Sequence, residues 1–441
     1  MSHVFPRNSK APPPMVARGQ GPYLYDQSGK SYLNCGDAAV SCLGHGDPHV
    51  TAAVQNQMNS VAFAHTGYFT SEPAERLADK LIAFAPEDLD RVYFVSGGSE
   101  AMEAALKLAR QYYVETGQPH REKIIARRQS YHGNTLGALA TGGNAARRAQ
   151  FSPLLMDVSH VSPCYAYRGQ ADGETDTQYV DRLIAELEHE IQTLGPETVM
   201  AFVAEPVVGA TLGAVPPVGN YFERVREVCD AHGILLIFDE VMCGMGRTGK
   251  LFACEHYGVS PDICAIAKGL GAGYQPIGAM LCSAAIYDAI ERGSGFFQHG
   301  HTYLGHPVAC AAALAVLERL LDEQVLERVQ PLGDALHAAL TKRFSQHPHV
   351  GDIRGEGLFR AIELVQSRDT KAPFDPGDKV FARVKSAAFE AGLICYPMGG
   401  TVNGAAGDHV LLAPPFILGE DEIEQVADKL SKAVHTAFGG A

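Results

Sequence analysis

The stretch Ile234-Leu235-Leu236-Ile237-Phe238-Asp239-Glu240-Val241 decides how the chain is read. Five apolar residues end abruptly in two acids, the pattern of a strand buried on both faces and closed at its C-terminal edge. A glycine-rich turn follows, Gly244-Met245-Gly246-Arg247-Thr248-Gly249. A second apolar run, Ile263-Cys264-Ala265-Ile266-Ala267, then delivers Lys268 into Gly269-Leu270-Gly271-Ala272-Gly273. An acid thus ends one buried strand and a lysine ends the next. In open α/β sheets that edge is where ligands bind. Charges placed there are partly desolvated and need partners. Burial lowers the pKa of a lysine and frees its amine as a nucleophile. A carbonyl cofactor would use both groups, the lysine bonding its carbonyl carbon and the acid pairing with a protonated ring nitrogen. A plain Asp–Lys ion pair at a sheet edge accounts for these two residues equally well.

Outward from this stretch, helices and strands alternate. The periodicity predicts helices over 74–85, 99–114 and 221–231, and a further amphipathic helix carrying Val180, Leu183, Ile184, Leu187 and Ile191. Strands are predicted over 92–95, 123–126, 199–204 and 278–283. Such alternation means a mostly parallel sheet with helices on both faces. Before it, Tyr23-Leu24-Tyr25 and Tyr32-Leu33-Asn34 flank the turn signal Asp26-Gln27-Ser28-Gly29-Lys30, and a short helix is predicted over 50–61. Beyond Leu320 the pattern changes. An exposed helix is predicted over 322–346, strands over 358–365, 393–396 and 410–413, and helices over 379–391 and around Ile423 to Val434.

A chain of 441 residues exceeds the roughly 250–300 residues that one core supports, so at least two domains are expected. No apolar run approaches the ~20 residues of a membrane span. The net charge of -14 argues against a nucleic-acid partner. The ten cysteines are scattered, several inside apolar strands, and no pair has metal-ligand spacing; reduced thiols in the cytoplasm are expected. The 18 histidines show no metal-binding cluster, so no metal is expected.

Other stretches carry chemistry. Ser96-Gly97-Gly98-Ser99-Glu100 lies between a strand and a helix start, where backbone N–H groups and the helix dipole favour a phosphate. A glycine turn capped by Ser99 is the plainer reading. Tyr131, in Ser130-Tyr131-His132-Gly133, is able to stack on a flat ring or to pack as an ordinary aromatic. Glu205-Pro206 ends another buried strand, and its carboxylate suits a substrate amine or an arginine. Thr302, in His299-Gly300-His301-Thr302, offers a hydroxyl to a phosphate.

These motifs together resemble those of the class-III aminotransferases, the ω-amino acid and amine group of pyridoxal-phosphate enzymes with fold type I. The likeness runs from about Tyr23 to the last helix. It rests on Phe238-Asp239-Glu240-Val241 with Lys268 following 29 positions after Asp239 (268 − 239), on Ser96 to Ala101, and on His299 to Thr302. The resemblance implies an α/β fold whose large domain, over 61–325, holds a mostly parallel seven-stranded sheet. A smaller α+β domain over 326–441 would be joined by an N-terminal arm and small-domain segment over 1–60.

The resemblance also implies roles. Lys268 would be the catalytic lysine that bonds pyridoxal 5′-phosphate, and Asp239 would keep the pyridine nitrogen protonated. Val241 and Tyr131 would pack on the two ring faces, with His132 and Glu205 in the same cofactor-binding set. Gly98 and Ser99 would hold the phosphate, helped by Thr302 of a neighbouring subunit, so a homodimer or a tetramer is expected. The substrate set comprises Ala39, Val40, Tyr68, Phe69, Glu205 and His409. Small residues at Ala38-Ala39-Val40 suggest a roomy pocket, and Tyr68 and Phe69 resemble an aromatic pair that reaches across a dimer. Many relatives carry an arginine shortly before the C-terminal proline pair. Here Leu411-Leu412-Ala413-Pro414-Pro415 has none, His409 is a weak substitute, and the last arginine in the chain is Arg383. The expected reaction moves an amino group from an ω-amino acid or amine to a keto acid, pyruvate above all, by a ping-pong route. An aminomutase or epimerase, or a decarboxylase, is the alternative on the same fold. An external keto-acid requirement separates the first from the leading reading, and CO₂ release the second.

Overall fold

The computed structural model describes residues 3–439. Its centre is a seven-stranded sheet. In spatial order the strands are Leu89–Val95, Gly278–Ser283, Ile263–Ile266, Leu235–Asp239, Val199–Ala204, Lys123–Arg127 and Ser159–Val161. The last five run parallel. Gly278–Ser283 runs antiparallel to both of its neighbours. The expected fold class is therefore found, with one reversed strand inside the parallel sheet.

Burial on both faces explains why the central strands read as unbroken apolar runs. Side chains alternate along each strand. Leu235 and Ile237 face the Gly98–Glu115 helix with Met102, Ala105 and Ala109. Leu236 and Phe238 face the opposite side, in a core shared with the Asp176–Leu194, Tyr221–His232 and Pro307–Leu321 helices.

Two four-stranded sheets complete the fold. One joins Val16–Gln20, Tyr23–Asp26 and Ser31–Asn34 to Leu393–Ile394, so it takes strands from both ends of the chain. Its hairpin turn is set by Asp26, whose Oδ1 accepts the N–H groups of Ser28 at 2.9 Å and Lys30 at 3.1 Å. The other sheet is ordered Val350–Glu356, Phe359–Leu364, Asp408–Leu412, Tyr396–Gly399.

Two expectations need correction, and one helix lies where none was predicted. The strand predicted over 393–396 is two strands in two sheets. Leu393–Ile394 pairs parallel with Ser31–Asn34 and Tyr396–Gly399 pairs antiparallel with Asp408–Leu412, with Cys395 at the crossing. The helix predicted as exposed over 322–346 is Val329–Phe344, and Val329, Leu332, Leu336, Leu340 and Phe344 form a buried stripe along it. The Pro307–Leu321 helix escaped the periodicity because it is apolar nearly all round; twelve of its residues are buried. Among the described residues no helix is long and apolar enough to cross a membrane.

Candidate active site

The strand order brings four chain segments to one edge. Asp239 ends its strand, Glu205 follows Val199–Ala204, Lys268 lies two residues past Ile263–Ile266, and Tyr131 and His132 follow Lys123–Arg127. These are C-terminal ends of neighbouring parallel strands, where the helical crossovers leave a crevice. A cavity of about 480 Å³ opens there. Gly98, Ser99, Tyr131, His132, Glu205, Asp239, Val241 and Lys268 all line it, as does Val40.

Asp239 is 4% exposed, and both of its oxygens are engaged. Oδ2 lies 2.8 Å from Nδ1 of His132, and Oδ1 accepts the N–H of Val241 at 3.0 Å. The next residue, Glu240, faces the other way, as strand alternation requires. It is wholly buried and accepts the N–H groups of Ala253 at 2.5 Å and Cys254 at 2.8 Å. Burial raises its pKa to about 7. Of the two adjacent acids, only Asp239 belongs to the cavity.

Lys268 is half-buried, and its amine makes no hydrogen bond or ion pair with the described residues. Desolvation lowers its pKa, opposed by the carboxylates of Asp239 and Glu205. Its backbone is left-handed, with φ +47°, at the start of a short 3-10 turn. A side chain pays roughly 1–2 kcal/mol for that conformation. Strain of this kind persists where the surroundings impose it, and it clusters at working sites.

Glu205 accepts the N–H of Tyr131 at 3.1 Å and of Gly209 at 2.8 Å, and Arg127 donates to its backbone carbonyl. Burial raises its pKa, with the Asp239 charge adding to the effect and His132 opposing it.

The cavity fits a flat phosphorylated ring. At one end the 18-residue Gly98–Glu115 helix begins at Gly97 with no side chain capping it, so its first-turn N–H groups point at the cavity unmet. Ser99 Oγ lies beside them and accepts the N–H of Asn134 at 3.0 Å. Glycine is required at Gly98, since a Cβ there would lie 2.6 Å from Cγ1 of Val241. Across the floor, Asp239 offers a buried carboxylate, and Nε2 of His132 is buried without a partner.

Several expected residues lie elsewhere. Ala39 packs in a core with Val207, Met242 and Phe359, so it does not enlarge the cavity; Val40 alone of the small trio reaches the wall. His409 is fully buried, and its Nδ1 lies 2.7 Å from the Thr401 hydroxyl. Burial, reinforced by the Arg354 guanidinium, lowers its pKa to about 3. It is neutral, lies outside the wall, and offers a carboxylate no charge. Thr302, Tyr68 and Phe69 are exposed and line no part of this cavity, Tyr68 being 83% exposed. Missed at the sequence level were Met242 and the turn carrying Gly273, Gln275, Pro276 and Ile277, which close one side. A lone polar residue between a glycine turn and a strand was their only signal.

Residues 4–434 match the family model described as aminotransferase class-III. The chain belongs to the class-III aminotransferases. This aminotransferase is 44% identical to an uncharacterized aminotransferase of Schizosaccharomyces pombe, over 98% of its own length and 95% of the relative's. It is 38% identical to a tomato gamma-aminobutyrate transaminase, over 96% of the chain and 80% of the relative. Among solved structures, an (S)-enantioselective omega-transaminase of Thermomicrobium roseum matches with a TM-score of 0.92 at 37% identity, covering 99% of the chain and 96% of the other. A Pseudomonas jessenii omega-transaminase in complex with PMP matches with the same TM-score at 34% identity, covering 99% and 96%. The aminotransferase therefore has the fold type I architecture of the pyridoxal-phosphate transaminases, and its family depends on that cofactor.

Proposed function

We propose that this aminotransferase moves an amino group from an ω-amino acid or an amine to a keto acid, with pyruvate as the acceptor, by a ping-pong route. The observation that carries the reading is the meeting of Lys268, Asp239 and the uncapped helix start at Gly98 around one cavity. The relatives named for gamma-aminobutyrate, an ω-amino acid, and the ω-transaminase structures support it.

When bound, pyridoxal phosphate supplies a carbonyl for the amine and a ring that accepts electrons. The chain's residues supply the rest. The N–H groups of Gly98 and Ser99, with the Ser99 hydroxyl, would hold the phosphate. Asp239, its position fixed by His132 and the Val241 N–H, would pair with the ring nitrogen and keep a proton on it. Val241 and Tyr131, both in the cavity wall, would confine the ring. Lys268 would bond the cofactor, and its amine, when free, would take the proton from the carbon bearing the substrate nitrogen. Desolvation favours the uncharged amine that this step needs.

A second copy of the chain would bring Thr302 to the phosphate and Tyr68 and Phe69 to the substrate. The exposed aromatics Tyr68, Phe69 and Tyr303 support that homodimer. In this reading the chain divides near residues 60 and 325, both ends contributing to a smaller domain. All ten cysteines are free and buried, which suits the cytoplasm.

The test is the visible absorbance of the purified holoenzyme, titrated with ω-amino acids and amines and then with pyruvate. Bleaching by a donor and return with pyruvate is the expected result. A band that no donor bleaches, or turnover without added keto acid, would overturn the reading in favour of an isomerase or a lyase.

A further inference from the structure

The cavity lacks a free cation for a carboxylate. Among its described wall residues Lys268 is the one lysine or arginine, and the chemistry uses it. The segment before Pro414-Pro415 carries no arginine, and His409 is buried and neutral. Yet an unpaired arginine stands directly behind the wall. Arg147 lies in the short Ala145–Arg148 helix, where the Asn144 side chain accepts its N–H at 3.1 Å. Its guanidinium carbon sits 4.6 Å from the centroid of the Tyr131 ring.

Arg147 is half-buried, and its side chain forms no ion pair and no hydrogen bond with the described residues. Arg128, by contrast, pairs with Glu186, and Arg127 donates to the Glu205 carbonyl, whereas Arg148, next in the chain, has a buried Nε without a partner. A guanidinium carries five N–H donors in a rigid fork matched to a carboxylate. Stacking on Tyr131 uses the face of that fork and leaves its edge free. The charged groups bearing on the Tyr131 hydroxyl are Arg147 and Arg7 on one hand and the buried Asp239 on the other. Two of these three charged groups are cations.

We propose that Arg147 is the carboxylate grip of this site and holds the far carboxylate of an ω-amino acid whose amine lies at Lys268. The inference rests on the transaminase reading above and narrows its donor. Tyr131 lines the cavity with Lys268 and carries Arg147 on its ring, so in this proposal the donor's chain passes the edge of that ring. A donor with several methylenes between amine and carboxylate engages Lys268 and Arg147, and its chain lies along the apolar body of Tyr131.

The experiment compares wild type, Arg147→Met and Arg147→Lys as holoenzymes. Two donors of equal chain length are used with pyruvate, ω-aminohexanoate and n-hexylamine. Calorimetry measures the binding of hexanoate, which has no amine and does not react. In Arg147→Met the ratio of kcat/KM for aminohexanoate to that for hexylamine is expected to fall about tenfold or more, through KM, and hexanoate binding to weaken by a similar factor. Arg147→Lys keeps a point charge without the fork and recovers part of both. Equal loss on the two donors would make Arg147 a prop for Tyr131 and overturn the proposal, as would an unchanged ratio. If wild type turns over neither donor, the transaminase reading fails; hexanoate binding that Arg147→Met leaves unaltered then refutes the grip independently.

Discussion

Arg354 and Lys268 are both cations set into the interior, and the chain treats them in opposite ways. Arg354 donates to the carbonyls of Gly213 at 2.7 Å and Leu212 at 2.5 Å, to Asp352 at 2.9 Å and to Glu363 at 2.6 Å. Glu363, itself fully buried, also takes hydrogen bonds from Tyr165 and Arg168. Lys268 has no such partner, and its backbone is held in a left-handed conformation. A buried charge with its valences filled ties segments together, whereas one left open keeps its valence for a ligand. The contrast separates structure from chemistry: the Arg354 cluster should fail in stability, and the Lys268 cluster in turnover.

The sharpest break of the contrast is Lys268→Ala. Turnover is expected to fall by about 10⁴-fold or more, because nucleophile and proton carrier are lost together. Single-turnover assays with the loaded protein check it, and retention of a hundredth of wild-type activity would remove Lys268 from the chemistry. Next is Arg354→Met, which leaves Glu363 buried with less compensation. A destabilisation of about 3–5 kcal/mol is expected in urea unfolding, with activity per folded molecule retained. Unaltered unfolding would mean that the cluster is not structural.

Asp239→Asn should cost about 10²-fold in kcat while the protein still folds and takes up the cofactor, since shape is kept and charge is lost. Wild-type turnover in that variant would release Asp239 from its assigned role. The smallest effect is on stability. The Lys268 pKa is lowered in the fold, so between that value and the free lysine value near 10.4 the unfolded chain binds more protons and stability rises with pH. Lys268→Met, without cofactor, should therefore melt higher than wild type at neutral pH, and the advantage should vanish as pH climbs toward about 10.4. A variant less stable than wild type at pH 7 would show that Lys268 is a structural cation after all.

Much of this was legible in the chain. The central strands are buried on both faces, so their apolar runs and the charges ending them stand out in any reading. Helices with one wet face, such as Asp176–Leu194, reveal themselves by period. Pro307–Leu321 did not, because burial on every side erases the period. Arg147 gave no signal either: an Ala-Ala-Arg-Arg run reads as a solvated helix end until the fold lays it on Tyr131.

The sequence by itself determined the sheet edge, the acid and lysine that end adjacent strands, and the glycine-started helix aimed at them. Each follows from local patterning of burial, turn chemistry and charge. Tertiary structure alone decided that Glu240, beside Asp239, is spent on the Ala253 and Cys254 N–H groups, and that Ala39 and His409 lie outside the cavity. It alone placed an unpaired arginine behind the wall. Those outcomes depend on contacts between residues up to hundreds of positions apart, such as His409 beside Gly213, which no local pattern encodes.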